Sequence, residues 1–241
     1  MAFLRAVAAT LFILSVSLFF ILTNVRVLAN EVRLYNYGVD HYNADLISGI
    51  PKTELHRANE ELIRYFNSDE DAVRIRVQDN RGQTVPLFNP KEVTHLKDVK
   101  KLFSIAFRVQ EGATAFALLY VVAVFVWARE ASLRTLATQA LTASVATLGI
   151  VGSLGSVALL GFDEAFLKFH QLSFTNNFYL LDPAKDHLVQ MFPQGFWFDA
   201  TLLIGLGAML ESLLLAGVAV GYLWMTRRRP VTMVLAGHSH A

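Results

Sequence analysis

Four long apolar runs dominate the chain, separated by two polar stretches and one short basic connection. The runs extend from Phe3 to Leu28, Gly112 to Ala128, Leu136 to Leu160 and Ala200 to Met225. Each approaches the roughly 20 apolar residues that cross about 30 Å of hydrocarbon at about 1.5 Å per residue. The pattern predicts an all-α transmembrane protein built as a four-helix bundle. Its spans are expected over 1–29, 109–128, 136–160 and 200–226. Val27-Leu28-Ala29 resembles a cleavage site, but the first run exceeds the usual signal-peptide core of about 7–15 residues. A retained anchor is therefore the expectation.

Basic residues orient the bundle. Arg5 precedes the first span, Arg129 and Arg134 lie between the second and third, and Arg227, Arg228 and Arg229 follow the fourth. Short cationic segments stay cytoplasmic, so both termini, the loop 129–135 and the tail 227–241 are expected inside. Trp127 and Trp224 then mark the inner aromatic belt, and Phe196-Trp197-Phe198 the outer one. His238-Ser239-His240 becomes a frayed cytoplasmic end rather than a ligand set. Residues 30–108 and 161–199 face outward.

Within 30–108 the pattern predicts a small α+β extracytoplasmic cap. Thr53 to Phe66 places Leu55, Ala58, Leu62 and Phe66 on one helical face. Val73–Val77 alternates as a strand, Asp79-Asn80-Arg81-Gly82 turns, and Thr84–Phe88 returns with Pro86 suited to an edge. Asn89, Pro90 and Glu92 form a capping-box pattern, and the helix they open runs on into the second span. Segment 161–199 mixes aromatics, amides and prolines without a period. It reads as an interfacial outer loop, opening with a short helix capped by Asp163.

The third run carries Gly149, Gly152 and Gly155 with Ser144, Ser153 and Ser156. Small side chains allow close helix approach in lipid, which makes this run the expected inner helix. Glu211 is the ionisable residue deep in a span. A carboxyl group there is expected to be neutral or hydrogen-bonded to a neighbouring helix.

Composition sharpens this picture in two places. The chain is 54% hydrophobic and 17% charged with a net charge of +1, so lipid is the main solvent and nucleic acid is no expected partner. Cysteine is absent, which excludes disulfides, thiolate metal sites and a cysteine nucleophile.

Candidate chemistry sits in the two outward segments. His95 and Asp98, three residues apart, share a helix face, and an acid there can hold an imidazole in one tautomer. His170 shares its face with Phe166 and Phe174 and points into apolar surroundings. The same residues are compatible with a solvated surface pair and an interfacial histidine without a role. A metal-dependent membrane hydrolase could draw on His41, His56, His95, Asp98 and His170, though no His-x-x-x-His pair occurs. A non-catalytic membrane partner protein would use the cap as a binding surface.

Tyr35-x-Tyr37-Gly38-Val39, Leu62-Ile63-x-Tyr65-Phe66 and Pro86-Leu87-Phe88-x-x-x-Glu92-x-x-His95-Leu96-x-Asp98-Val99 carry a resemblance. So do Phe166-x-x-Phe169-His170-x-x-x-Phe174-x-Asn176, Asp182-Pro183 and Phe192-Pro193. Over nearly its whole length the chain resembles the bacterial lipoprotein intramolecular transacylases and their four-span relatives. It departs at Leu96, where many relatives carry methionine. The resemblance implies transfer of the acyl chain on the second glycerol carbon of a diacylated lipoprotein to the α-amine of its N-terminal cysteine. The product is a lyso-form lipoprotein. Ester-to-amide exchange runs downhill, so neither a cofactor nor a metal is expected, and membrane lipid is the other partner. His95, oriented by Asp98, and His170 are the expected catalytic residues, either as a one-step relay or with one histidine transiently acylated. Asn176 is the candidate oxyanion donor.

Overall fold

The computed structural model describes residues 2–128 and 131–227. Arg129, Arg228, Arg229 and the His238–His240 segment lie outside the described residues. In chain order the elements are α1 (Ala2–Ala29), α2 (Val32–His41), α3 (Ala44–Ser48), α4 (Lys52–Phe66) and the strands β1 (Arg76–Gln78) and β2 (Thr84–Pro86). There follow α5 (Pro90–Ala128), α6 (Ala131–Ser173), α7 (His187–Met191) and α8 (Gln194–Met225).

Helices α1, α5, α6 and α8 are long and apolar enough to cross a membrane. In their most apolar windows only 6–17% of residues are buried, so most side chains point outward to where acyl chains lie. Each helix satisfies its own backbone, the requirement that hydrocarbon imposes. The expected four-helix transmembrane bundle with a small α+β cap is what the chain forms. Arg134 donates to the Thr226 carbonyl at 3.4 Å, which brings the start of α6 and the end of α8 to one end of the bundle.

The hydrophobic core lies in the cap. Leu55, Ala58 and Leu62 line the inner face of α4, and Val73, Ile75 and Val77 alternate inward beside them. Met191, Phe192 and Phe196 close the far side. The alternation is as read from sequence, but the paired ribbon is shorter: Arg76 faces Pro86, Val77 faces Val85 and Gln78 faces Thr84. Beyond it a single bond from Leu87 N to Ile75 O, at 3.0 Å, carries the pairing on. Gly82 turns the ribbon at φ +74, a conformation glycine adopts without strain. Two further helices, α2 and α3, occupy residues the sequence left unassigned. Gly38 in α2 lets α8 approach closely, since a Cβ there would stand 2.9 Å from Phe196 Cδ2.

Two expectations need correction. Phe196 and Trp197 are part of α8, which starts at Gln194, and Phe196 is 2% exposed in the cap core. Phe196 is therefore a packing residue of the cap, while Trp197 and Phe198 are half-buried at the first turns of α8. The glycines of α6 are not its close contacts, because a Cβ added at Gly149, Gly152 or Gly155 would meet nothing within 4 Å. The buried face of α6 is Ala143, Ser144, Thr147 and Val151, and Thr147 donates to Ser17 Oγ of α1 at 2.9 Å. The closest approach involves Gly207 of α8, whose Cβ would fall 2.1 Å from Asn24 Oδ1. Asn24 in turn donates to Glu211 at 3.0 Å, the interhelical bond expected for that carboxyl group. The short helix expected from Phe162 does form, set off from the spanning part of α6 by non-helical backbone at Gly161. Asp163 accepts from Gln194 Nε2 at 2.7 Å.

Candidate active site

Helix α5 begins at a reciprocal cap. Asn89 Oδ1 accepts from the backbone N–H of Lys91 and Glu92 at 2.9 and 3.1 Å. Glu92 Oε2 accepts from the N–H of Asn89 at 2.7 Å, so otherwise orphaned donors are satisfied from both directions. The second Glu92 oxygen reaches across to Leu188 N of α7 at 2.6 Å. Glu92 is 1% exposed. Burial pushes its pKa up, and the two backbone donors oppose that shift. Asn89 Nδ2 donates to Asp186 Oδ1 at 2.8 Å, and Asp186 Oδ2 accepts from Asp182 N at 2.6 Å. The start of α5 and the loop leading to α7 therefore form one unit.

Between Pro90 and Glu111, α5 carries Lys91, Glu92, Lys97, Asp98, Lys100, Lys101, Arg108 and Glu111. A stretch so charged does not lie in hydrocarbon, and the spanning part begins near Gly112. His95 stands outside it. The same holds for His170, which follows Asp163, Glu164 and Lys168 beyond the Gly161 kink.

The two histidines come together. Their ring centroids are 5.9 Å apart with planes inclined at 31°. Phe174 meets His95 edge-on at 5.1 Å, and Phe166 meets His170 edge-on at 4.4 Å. Tyr179 lies 5.2 Å from His170. These rings wall a cavity of about 340 Å³, completed by apolar side chains of the cap and by Gln194 and Trp197 of α8.

Burial sets the protonation of both rings. His95 is 6% exposed, and its pKa falls to about 4 because an imidazolium loses its hydration there. His170 adds to that fall and Asp98 opposes it. The pKa of His170 is lowered by burial as well. His170 Nδ1 lies 2.8 Å from the Phe166 carbonyl. A carbonyl only accepts, so Nδ1 carries the hydrogen and Nε2 keeps the lone pair in the neutral ring. His95 Nδ1 is buried and has no partner among the described residues.

Asp98 does not do what its spacing suggests. Among the described residues it makes no hydrogen bond to His95. Its Oδ2 accepts from Asn176 Nδ2 at 2.8 Å, and it acts on His95 through its charge alone. The i,i+3 spacing places both side chains on one face of α5 but does not turn them toward each other, and Asn176 offers Asp98 a direct donor. Asn176 Oδ1 accepts from Phe178 N at 3.0 Å, so this amide braces the 174–180 loop and is not among the cavity-lining residues. No three His, Asp or Glu side chains among the described residues converge to hold a metal ion. His41 stacks on Tyr37 at 4.9 Å, and His56 Nε2 lies 3.3 Å from Asp40.

Sequence reasoning missed Tyr179, which sits in a segment without period, and the Glu92–Leu188 and Asn89–Asp186 bridges. The only signal for the bridges was the capping box itself, since a carboxylate that caps with one oxygen has a second to offer.

The chemistry available is proton transfer by neutral imidazoles beside an apolar, ring-walled space. The family model described as "Lipoprotein intramolecular transacylase Lit" matches residues 10–197. Among solved structures, the membrane integral lipoprotein intramolecular transacylase Lit from Bacillus cereus superposes with a TM-score of 0.77 at 20% identity. The match covers 94% of this chain and 100% of that one. A form of that protein with a histidine-to-arginine mutation gives 0.71 at 20% identity over 94% and 95% of the two chains. A histidine-to-alanine form gives 0.74 at 19% over 94% and 96%. No curated protein sequence matches. At this identity the solved structures speak for the fold and the family model for the family. The chain belongs to the lipoprotein intramolecular transacylase family, and it is a membrane-integral acyltransferase of lipoproteins.

Proposed function

We propose that the cavity between His95 and His170 moves the acyl chain on the second glycerol carbon of a diacylated lipoprotein to that lipoprotein's own α-amine. The observation that carries this reading is the pair of neutral imidazoles, 5.9 Å apart, in an aromatic cavity large enough for apolar matter. The amine nitrogen attacks the ester carbonyl carbon, forming the C–N bond. His170 takes the amine proton at Nε2. As the tetrahedral intermediate collapses, the C–O bond to glycerol breaks. The imidazolium then returns its proton to the departing oxygen, directly or through His95. Ester and amine become amide and alcohol, and both rings end neutral.

The cap and cavity face outward and both termini lie in the cytoplasm, in line with Arg5, Arg134 and Arg227 at the end opposite the cap. Leu172 of α6, two residues after His170, is 88% exposed, apolar surface that suits the acyl chains of a substrate held in the same membrane.

The test is to express the chain in a bacterium lacking lipoprotein N-acylation and sequence the N-terminal lipopeptide of an abundant lipoprotein by tandem mass spectrometry. An N-acyl group with a single acyl chain left on the glyceryl moiety is expected. An unchanged diacylglyceryl cysteine, with the protein inserted and folded, overturns the reading.

The pH profile follows from the same groups. A free α-amine titrates near about 8, and both imidazoles titrate below the ordinary histidine value. Between about pH 6.5 and 8 the logarithm of kcat/KM should rise with unit slope, governed by the amine. A second unit of slope should enter only below the usual histidine pKa. A bend to slope two at about pH 6.5 would mean that the essential histidine is not buried during catalysis.

A further inference from the structure

Acyl transfer through a tetrahedral intermediate needs a donor for the oxyanion, and the cavity's own hydrogen-bonding groups can be accounted for one by one. Tyr35 lines it, but its hydroxyl donates to the Ala29 carbonyl at 2.9 Å. The indole N–H of Trp197 donates to the Phe192 carbonyl at 3.1 Å. Gln194 is held by Asp163 at 2.7 Å. His170 Nδ1 is committed to Phe166. Apart from the imidazole nitrogens of His95 and His170, read here as the proton carriers, the lining side chain with no hydrogen-bond partner at all among the described residues is Tyr179, whose phenol is half-buried in the wall. Its ring centroid lies 5.2 Å from His170 and 6.2 Å from Phe174.

We propose that the Tyr179 hydroxyl is the oxyanion donor of the reaction. The proposal rests on the reading of His95 and His170 as its proton carriers. A phenol donates one hydrogen and sits at the end of a stiff side chain, so it can be aimed in advance at the oxygen where charge develops. Stabilisation of that charge is greatest where water is excluded, and most of the side chains around Tyr179 in this wall are apolar.

The aim comes from α5. Asp98 holds Asn176, and Asn176 Oδ1 holds the N–H of Phe178, the residue before Tyr179. Asp98 and Asn176 are thus positioning residues for Tyr179. One helix carries His95 and, a turn later, the anchor of the loop that carries the donor. Their relative placement is fixed by α5 itself.

Tyr179→Phe keeps the ring contacts and removes only the hydroxyl. With purified full-length protein in nanodiscs and a synthetic diacylglyceryl lipopeptide, kcat should fall by about 100-fold or more. KM should stay within about twofold and the melting temperature should not move. Asn176→Ala should lower kcat in the wild-type background and have no further effect in the Tyr179→Phe background, a non-additivity that general damage to the fold would not produce. A kcat within tenfold of wild type for Tyr179→Phe overturns the proposal, as does full additivity of the two substitutions. His95→Ala and His170→Ala are assayed beside them. If these retain activity, the reading of the histidines fails. If they lose it while Tyr179→Phe does not, only the donor assignment fails.

Discussion

Replacing His170 with alanine is expected to slow formation of the N-acylated product by about 10²–10⁴-fold, the range for loss of a positioned acid–base group. His95→Ala should cost a similar factor. The double variant should be scarcely worse than either single one, because groups acting as one unit lose their whole contribution at the first removal. The two rings are 5.9 Å apart and share Phe174 as a neighbour, at 5.1 Å from His95 and 5.6 Å from His170. They line a cavity and are not part of the cap core, so each variant should insert and melt close to wild type. His170→Gln, nearer in volume, guards against collapse of the wall. Initial rates with a diacylglyceryl lipopeptide decide the matter. Full activity in either single alanine variant removes that residue from the chemistry, and strict multiplication of the two losses would mean that they act in separate steps.

Much of this site was legible as residue types on faces. The spacing of Phe166, His170 and Phe174 at i, i+4 and i+8 put the imidazole among rings, and the structure has it there. The run from Asn89 to Glu92 announced the start of α5 and hence the direction in which His95 leaves the helix. The meeting of His95 with His170, separated along the chain by two spans and the loop between them, was legible only through resemblance to a family. Periodicity describes one element at a time and contains no distance between two.

Asp98 illustrates the limit more sharply. A spacing of three says that two side chains share a face, but which partner each takes depends on competing donors elsewhere. Here Asn176, seventy-eight positions downstream, supplies an N–H that a neutral, buried His95 does not turn toward the carboxylate. The glycines of α6 mislead for a related reason. Small residues permit close approach but do not create it, and in this bundle the approach happened at Gly207, where Asn24 needs room to reach Glu211.

The second large effect concerns stability. Glu92→Ala is expected to destabilise the cap by about 2–6 kcal/mol, because it strands two backbone N–H groups at about 1–3 kcal/mol each. Those groups belong to Asn89 and Leu188, at 2.7 and 2.6 Å from the carboxylate, and the side chain between them is 1% exposed. Leu188 is itself buried, so its N–H has no ready replacement from water, whereas Asn89 is half-buried. Glu92→Gln keeps one acceptor and turns an amide N–H₂ toward the other donor, so it should cost about half as much. The consequence should extend to turnover. Leu188 lines the cavity, and Lys91 donates to the carbonyl of Leu180, the residue after Tyr179. Freeing one end of this loop should loosen its grip on the ring wall while leaving both histidines in the chain. Thermal melts in detergent and initial rates, measured on the same samples, separate the two effects. Glu92→Ala should melt markedly below wild type, and its kcat should fall even at temperatures where it is fully folded. A stability within about 1 kcal/mol of wild type would mean that the two donors find other acceptors. In that case the carboxylate is only the cap of α5, and the loop bearing Tyr179 is held by Asp98 with Asn176 and by Lys91 on the Leu180 carbonyl.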